Sequence, residues 1–152
     1  MASTDKGRAA RRDLGRRIGH DFADPGLLER ALTHASRNSR PGGGETYERL
    51  EFLGDRVLGL IVADLLYHRF PEEDEGALAR RFAMLVRRET LAEVAGEVGL
   101  GPAVILARGE IEAGTQENPA ILSDCMEAVI AALYLDGGLE AARRFIADRW
   151  TP

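Results

Sequence analysis

A helix-forming run from Tyr47 to Phe70, with no proline before Pro71, carries carboxylates where a core helix should carry none. Glu48, Glu51 and Asp55 stand at i, i+3 and i+7 in Tyr47-Glu48-Arg49-Leu50-Glu51-Phe52-Leu53-Gly54-Asp55-Arg56-Val57-Leu58. At roughly 100° per residue they fall within about 60° of one another, on one face. Gly59 to Phe70 is strongly apolar, so the pattern predicts one long, largely buried helix. Like charges on one stripe of a buried helix repel each other and lose hydration, which is costly unless cations neutralise them. A divalent metal site is the simplest resolution.

A second apolar stretch runs from Asn118 to Leu135. Asn118 suits the N-cap, with Pro119 at the first helical position. Asp136-Gly137-Gly138 is expected to end the helix. Nothing from Ala128 to Leu135 is charged, which places this helix in the middle of the domain. Yet Asp124 and Glu127 stand at i and i+3 on one face. Two buried helices with acidic stripes can meet to form an oxygen-lined pocket. Glu51, Asp55, Asp124 and Glu127 are therefore the candidate core site, with Glu48 beside it. Hard oxygen ligands on rigid helices suit Mg²⁺ or Mn²⁺. Zinc chemistry finds no support, because His20, His34 and His68 are scattered. The Glu-x-x-His pair of di-iron bundles is absent from the sequence.

The 152 residues suit one domain with a substantial core. The single cysteine, Cys125, excludes an intramolecular disulfide and a cysteine-based zinc site, and reads as a packing residue. No stretch is apolar enough to span a membrane and no signal peptide leads the chain, so the expected location is cytoplasmic. The net charge of −5 argues mildly against a polyanionic partner, but bound cations would offset the acidic site. Lys6 is the only lysine, and arginine suits bidentate phosphate contacts. A codon preference for arginine explains the same bias equally well.

Residues 1–12 are polar, basic and poor in large apolar side chains, and read as a disordered arm before a domain at 13–152. Arg8, Arg11, Arg12, Arg16 and Arg17 read as a solvated tail or helix face, with contact to nucleic acid as the alternative. Asp24-Pro25 opens a helix as N-cap and N1, with Leu27, Leu28, Ala31 and Leu32 on one face. His34 reads as structural. Arg37 to Thr46, with Pro41-Gly42-Gly43-Gly44, is a loop, and Thr46 is a candidate cap for the central helix. After Pro71, acidic residues precede a helix over Ala77 to Val86, with Arg80, Arg81, Arg87 and Arg88 as its basic set. Another helix is expected over Thr90 to Val98, a mobile loop over Arg108 to Asn118, and a final helix over Leu139 to Trp150. No strand-type alternation occurs, so the fold is read as all-α.

Glu48-Arg49-Leu50-Glu51-Phe52-Leu53-Gly54-Asp55 resembles the signature of bacterial ribonuclease III, with Tyr47 where Asn is usual. Leu32-Thr33-His34-Ala35-Ser36 is similar to the family's LTHxS segment. Phe70-Pro71, Asp74-Glu75-Gly76, Leu85 to Leu91, Ile121 to Ala128 and Tyr134 to Gly138 follow in family order. The resemblance covers about residues 14–149. It implies the all-helical endonuclease fold, a homodimer, Mg²⁺ dependence (with Mn²⁺ able to substitute) and double-stranded RNA as substrate. It implies rRNA and mRNA precursor processing, leaving 5′-phosphate and 3′-hydroxyl ends with short 3′ overhangs. By motif, Glu51, Asp124 and Glu127 become metal ligands, while Asp55 and Glu127 carry catalysis. Glu48 and Glu75 fall at more peripheral acidic positions of the cleft. Phe52 falls where the family packs a side chain into a cavity of the partner subunit.

Arg56 and Ser123 each stand where Ala is common in the family. The family usually adds a double-stranded-RNA-binding domain, whereas this sequence stops at Pro152, so a truncated form is expected. Two alternatives stay open on the sequence alone. One is an inert RNA-binding or scaffolding module on the same fold. The other is an all-α nucleoside-triphosphate pyrophosphohydrolase, whose acidic pairs usually lie closer together than Asp55 and Asp124.

Overall fold

In a computed structural model, residues 2–38 and 45–150 are described. The expected glycine-rich loop falls largely outside them. The elements in chain order are α1 (Ala2–Ile18), α2 (Pro25–Ala31), a 3₁₀ turn (Ala35–Asn38), α3 (Glu48–Arg69), α4 (Glu75–Val86) and α5 (Arg88–Glu97). A 3₁₀ turn (Gly101–Ala103), α6 (Arg108–Glu112), a 3₁₀ turn (Thr115–Glu117) and α7 (Pro119–Arg149) complete the chain. Among the described residues the only β pairing is the isolated parallel bridge Thr33–Ile105. The all-α expectation holds.

Local chemistry sets most boundaries. Asp24 accepts from the Gly26 amide ahead of Pro25, and Asn118 accepts from the Ala120 amide ahead of Pro119. The acidic turn supplies the cap of α4, where the Asp74 carboxylate accepts from the Ala77 amide. Thr46 does not cap α3. Tyr47 holds the cap position without a side-chain bond, and the Thr46 hydroxyl donates to Glu48. Helix α7 contains one break, at Gly138, where φ is +74°. Side chains beyond Cα are strained there, which is why the sequence has glycine at the expected helix end.

Two segments depart from expectation. Residues Ala2–Ile18 form a helix, where a disordered arm was expected through residue 12. Alanine and arginine are strong helix formers, and Asp5 near the start with Arg16 and Arg17 at the end complement the helix dipole. The helix is held by its C-terminal half, where Leu14 and Ile18 are buried. Arg108–Asn118 forms α6 and a 3₁₀ turn where a mobile loop was expected. Gly114, at φ +76°, separates the two short elements, which are too brief to show a helical apolar period.

Helix α7 is the centre of the molecule: every residue from Met126 to Leu133 is buried, Glu127 among them. Its widest interface is with α3, followed by α5. The α3–α7 contact is close enough to exclude any side chain at one point. A Cβ on Gly54 would lie 1.6 Å from the main-chain oxygen of Glu127. The N-terminal elements attach at the other end of the uninterrupted helix. The Asp136 carboxylate accepts from the amides of Ala23 and Asp24 at 3.0 Å each and pairs with His20 Nε2 at 2.7 Å.

Gly54→Ala is expected to push the backbones of α3 and α7 apart. Overpacking a core costs about 1–3 kcal/mol, occasionally more. Here the obstacle is main chain, so the cost should reach at least the upper end. We expect thermal unfolding followed by circular dichroism to show a midpoint lowered by roughly 10 °C or more. An unchanged midpoint would contradict the contact.

Candidate metal centre

The α3–α7 contact also assembles the acidic residues. Glu51 from α3, and Asp124 and Glu127 from α7, each bring a carboxylate oxygen to within 4.8 Å of the others. Glu127 is only 8% exposed, while Glu51 and Asp124 are half-buried. The acidic stripes are not buried along their whole length. Asp55 and Glu48 are in fact exposed. Asp55 still reaches Glu127, whose carboxyl lies within hydrogen-bonding distance of it.

The electrostatics express the strain. Burial pushes the Glu127 carboxyl up to about 8, and the nearby charge of Asp55 and then of Glu51 and Asp124 adds to the shift. Burial likewise pushes Glu51 up to about 7, followed by the charge of Asp124, a shared hydrogen bond with it, and the charges of Glu48 and Asp55. Asp124 is also raised by burial, against a hydrogen bond from Glu51 and the positive charge of Arg88. In the absence of a cation, protons hold the cluster together. The donor set contains oxygen only, which fits a hard divalent ion and not a soft one.

The remaining candidates divide. Glu75 is exposed in the first turn of α4 and contributes no atom to the triad. Phe52 is 63% exposed, with the Arg56 guanidinium 3.9 Å above its ring. Arg56 also pairs with Asp55 at 3.3 Å. His34 is structural: its Nδ1 lies 2.8 Å from the Ser36 hydroxyl, and its amide donates to the Ile105 carbonyl. Cys125 is buried and unpaired by any disulfide, as expected of a packing residue.

Arg88 and Tyr47 also adjoin the cluster. Arg88 opens α5 and brings a positive charge toward Asp124, which its place in a general basic set did not reveal. Tyr47 is buried, and its ring meets His34 edge-on at 5.9 Å. Burial, the thiol of Cys125 and then the acidic cluster push its hydroxyl further from ionisation. Spacing could not have found Arg88, which reaches the cluster by tertiary packing, whereas Tyr47 stands one turn before Glu51 on the same helix.

Fold and site together define an all-helical domain whose two central helices enclose a carboxylate pocket of the kind that takes a hard cation. Residues 24–152 match the family described as Ribonuclease-III-like. Ribonuclease 3 of Rhodopseudomonas palustris is 47% identical over 150 residues, covering 99% of this chain and 55% of that protein. Ribonuclease 3 of Caulobacter vibrioides is 52% identical over 146 residues, covering 96% of this chain and 63% of that one. The chain thus spans little more than half the length of these curated relatives. The nuclease domain of ribonuclease III from Campylobacter jejuni superposes with a TM-score of 0.83 at 37% identity, covering 90% of each chain. A second structure of that domain, described for flexibility in a region involved in dimer formation, covers 91% of this chain and 96% of its own. The chain belongs to the ribonuclease III family.

The raised carboxyls set a sign for stability against pH. A carboxyl whose folded pKa exceeds its unfolded value keeps a proton that the unfolded chain has released. Its contribution to stability therefore falls as pH rises from the ordinary 4.5 through about 7 for Glu51 and about 8 for Glu127. In chelator, Glu127→Gln should raise the unfolding midpoint by a few degrees at pH above 8, with little effect below the ordinary carboxyl range. Divalent cation should stabilise the wild type more than the variant. Identical midpoints for both proteins at high pH would contradict the burial argument.

Proposed function

We propose that this domain is a Mg²⁺-dependent endoribonuclease acting on double-stranded RNA. The observation that carries the reading is the triad of Glu51, Asp124 and Glu127 on two packed helices in a member of this family. The relatives named Ribonuclease 3, and the nuclease domain from Campylobacter jejuni, support it. Glu51, Asp124 and Glu127 would hold the ion, for which Mn²⁺ can substitute. When bound, the ion supplies a lowered pKa for an attacking water and charge stabilisation for the leaving 3′ oxygen. Asp55, exposed and near Glu127, would orient that water and accept its proton. Arg88 offers positive charge on the Asp124 side, where a phosphate would approach. Glu48, and more distantly Glu75, would shape the acidic cleft.

A homodimer fits the surface. Phe52, Leu60 and Tyr67 are exposed apolar side chains of α3, at 63%, 59% and 69%. Phe52 borders a cavity of about 710 Å³ lined in part by Leu50, Leu53 and Leu135. A projecting ring beside an apolar hollow is self-complementary under a two-fold axis, since each copy can fill the other's hollow. The dimer-forming region described for the Campylobacter jejuni domain supports this reading. A two-fold dimer would present one acidic site to each strand of a duplex, giving the staggered cut.

Asp55→Ala and Glu127→Ala should each lower Mg²⁺-dependent cleavage of a labelled RNA duplex by about a hundredfold or more, because the metal supplies several kcal/mol of transition-state stabilisation. Helical content should stay near wild type. Undiminished cleavage by Glu127→Ala would refute the two-helix site. Turnover of free nucleoside triphosphates with no duplex cleavage would point to pyrophosphohydrolase chemistry instead. For the dimer, Phe52→Glu should sediment as a monomer at micromolar concentration while the wild type sediments at twice that mass. A monomeric wild type would remove the assembly from the reading.

A further inference from the structure

A group of basic side chains gathers away from the acidic cluster. Lys6, Arg8 and Arg11 of α1 and Arg37 of the following 3₁₀ turn line one cavity of about 720 Å³. That size falls within the range of small-molecule pockets, about 300–1,000 Å³. Among the described residues none of these cations belongs to an ion pair within 4.0 Å. The one carboxylate on the wall is Glu29. Burial lowers the pKa of Arg11, with Glu29 opposing the shift and Arg8 and Arg37 adding to it. Clustered cations around a partly buried guanidinium are poised for an anion that brings several negative oxygens.

The rest of the lining differs in character. Pro102, Ile105 and Ile111 give it an apolar surface. Set into it is Gln116, whose side-chain oxygen is buried and accepts no hydrogen bond from protein. A buried acceptor left without a donor costs about 1–3 kcal/mol, which a ligand N–H would recover once the Gln116 side chain turns its oxygen into the cavity. An inorganic anion would satisfy the cations and leave both the apolar wall and this oxygen unused. A ligand with a polyanionic end and a flat ring bearing an amino group uses all three.

We propose that this cavity binds a nucleoside polyphosphate, with its phosphates on Lys6, Arg8, Arg11 and Arg37 and its base on the apolar wall, donating an exocyclic amino hydrogen to Gln116. The site is independent of the acidic cluster and of whatever reaction that cluster performs. Cytosine and uracil isolate the Gln116 contact, because they differ at the position where one carries an amino donor and the other an oxygen.

The test is calorimetric titration of the metal-free protein, in chelator, with CTP, UTP and inorganic tripolyphosphate. Chelation keeps metal–nucleotide complexes off the acidic cluster. CTP should bind, with UTP and tripolyphosphate each weaker by about tenfold or more, the loss expected for one buried hydrogen bond or for the base contact. Arg11→Gln and Arg37→Gln should each weaken CTP by about tenfold or more. Arg108→Gln, an exposed residue paired with Glu112 outside the cavity, should not. Arg37 is exposed on a 3₁₀ turn, so its substitution leaves the fold intact if the Arg11 variant does not. No binding at millimolar CTP, equal affinity for CTP and tripolyphosphate, or unaltered binding by both arginine variants overturns the proposal. Displacement of bound CTP by duplex RNA would reassign these cations to backbone phosphates and overturn it equally.

Discussion

The contact of Gly54 with the main-chain oxygen of Glu127 is the constraint on which the rest of this structure depends. Helices of ordinary composition pack with their axes 8–10 Å apart, held off by side chains. Removing the side chain at one crossing point brings the α3 and α7 backbones together, at a spot where a Cβ would sit 1.6 Å from an oxygen. That closeness has a chemical consequence. Glu51 lies one turn before Gly54, and the oxygen it approaches belongs to Glu127 itself. Carboxylates from two helices converge within 4.8 Å only because the backbones beneath them are nearly in contact.

Such convergence is unfavourable by itself. Burial and mutual repulsion raise Glu51, Asp124 and Glu127 together, so the cluster favours protons or metal over free charge. The surrounding apolar packing supplies the stability that tolerates it. Met126 and Ala128, the chain neighbours of Glu127, are fully buried, as is the run from Val129 to Leu133. A site strained in the free protein and relaxed by a cation is one in which binding energy is stored in advance. Arg88 offsets part of the strain at Asp124, whereas every neighbouring charge that acts on Glu127 raises it further.

Legibility in the sequence followed the range of the forces. Caps are local: Asp24 with Pro25, and Asn118 with Pro119, declared their helices in dipeptides. The acidic stripes were equally plain, because helical periodicity is a property of a few consecutive turns. What the stripes could not reveal was depth. Asp55 shares the face of Glu51 and is nonetheless exposed, since depth is set by tertiary packing and not by position on the stripe. Helix α1 was misread because its Arg- and Ala-rich turns carry few large apolar residues, although Leu14 and Ile18 alone anchor its end in the core. Arg88 and Gln116 belong to the same class of omission, placed by tertiary contacts between segments distant in sequence.

The net charge of −5 conceals a separation of sign that the fold creates. Asp136 shows how. Its carboxylate sits just before the break of α7 at Gly138 and gathers His20 with the amides of Ala23 and Asp24. That single group ties the segment between α1 and α2 to the central helix. Once this join is made, α1 cannot swing freely. Its Lys6, Arg8 and Arg11 are then held across from Arg37 and the turn carrying Gln116 instead of dispersing in solvent. The acidic cluster and the basic cavity thus arise from opposite operations on the same helix. At Gly54 a missing side chain lets two helices approach and concentrates negative charge. At Asp136 a charged side chain, fully used by its partners, holds a third helix at the position where positive charge collects.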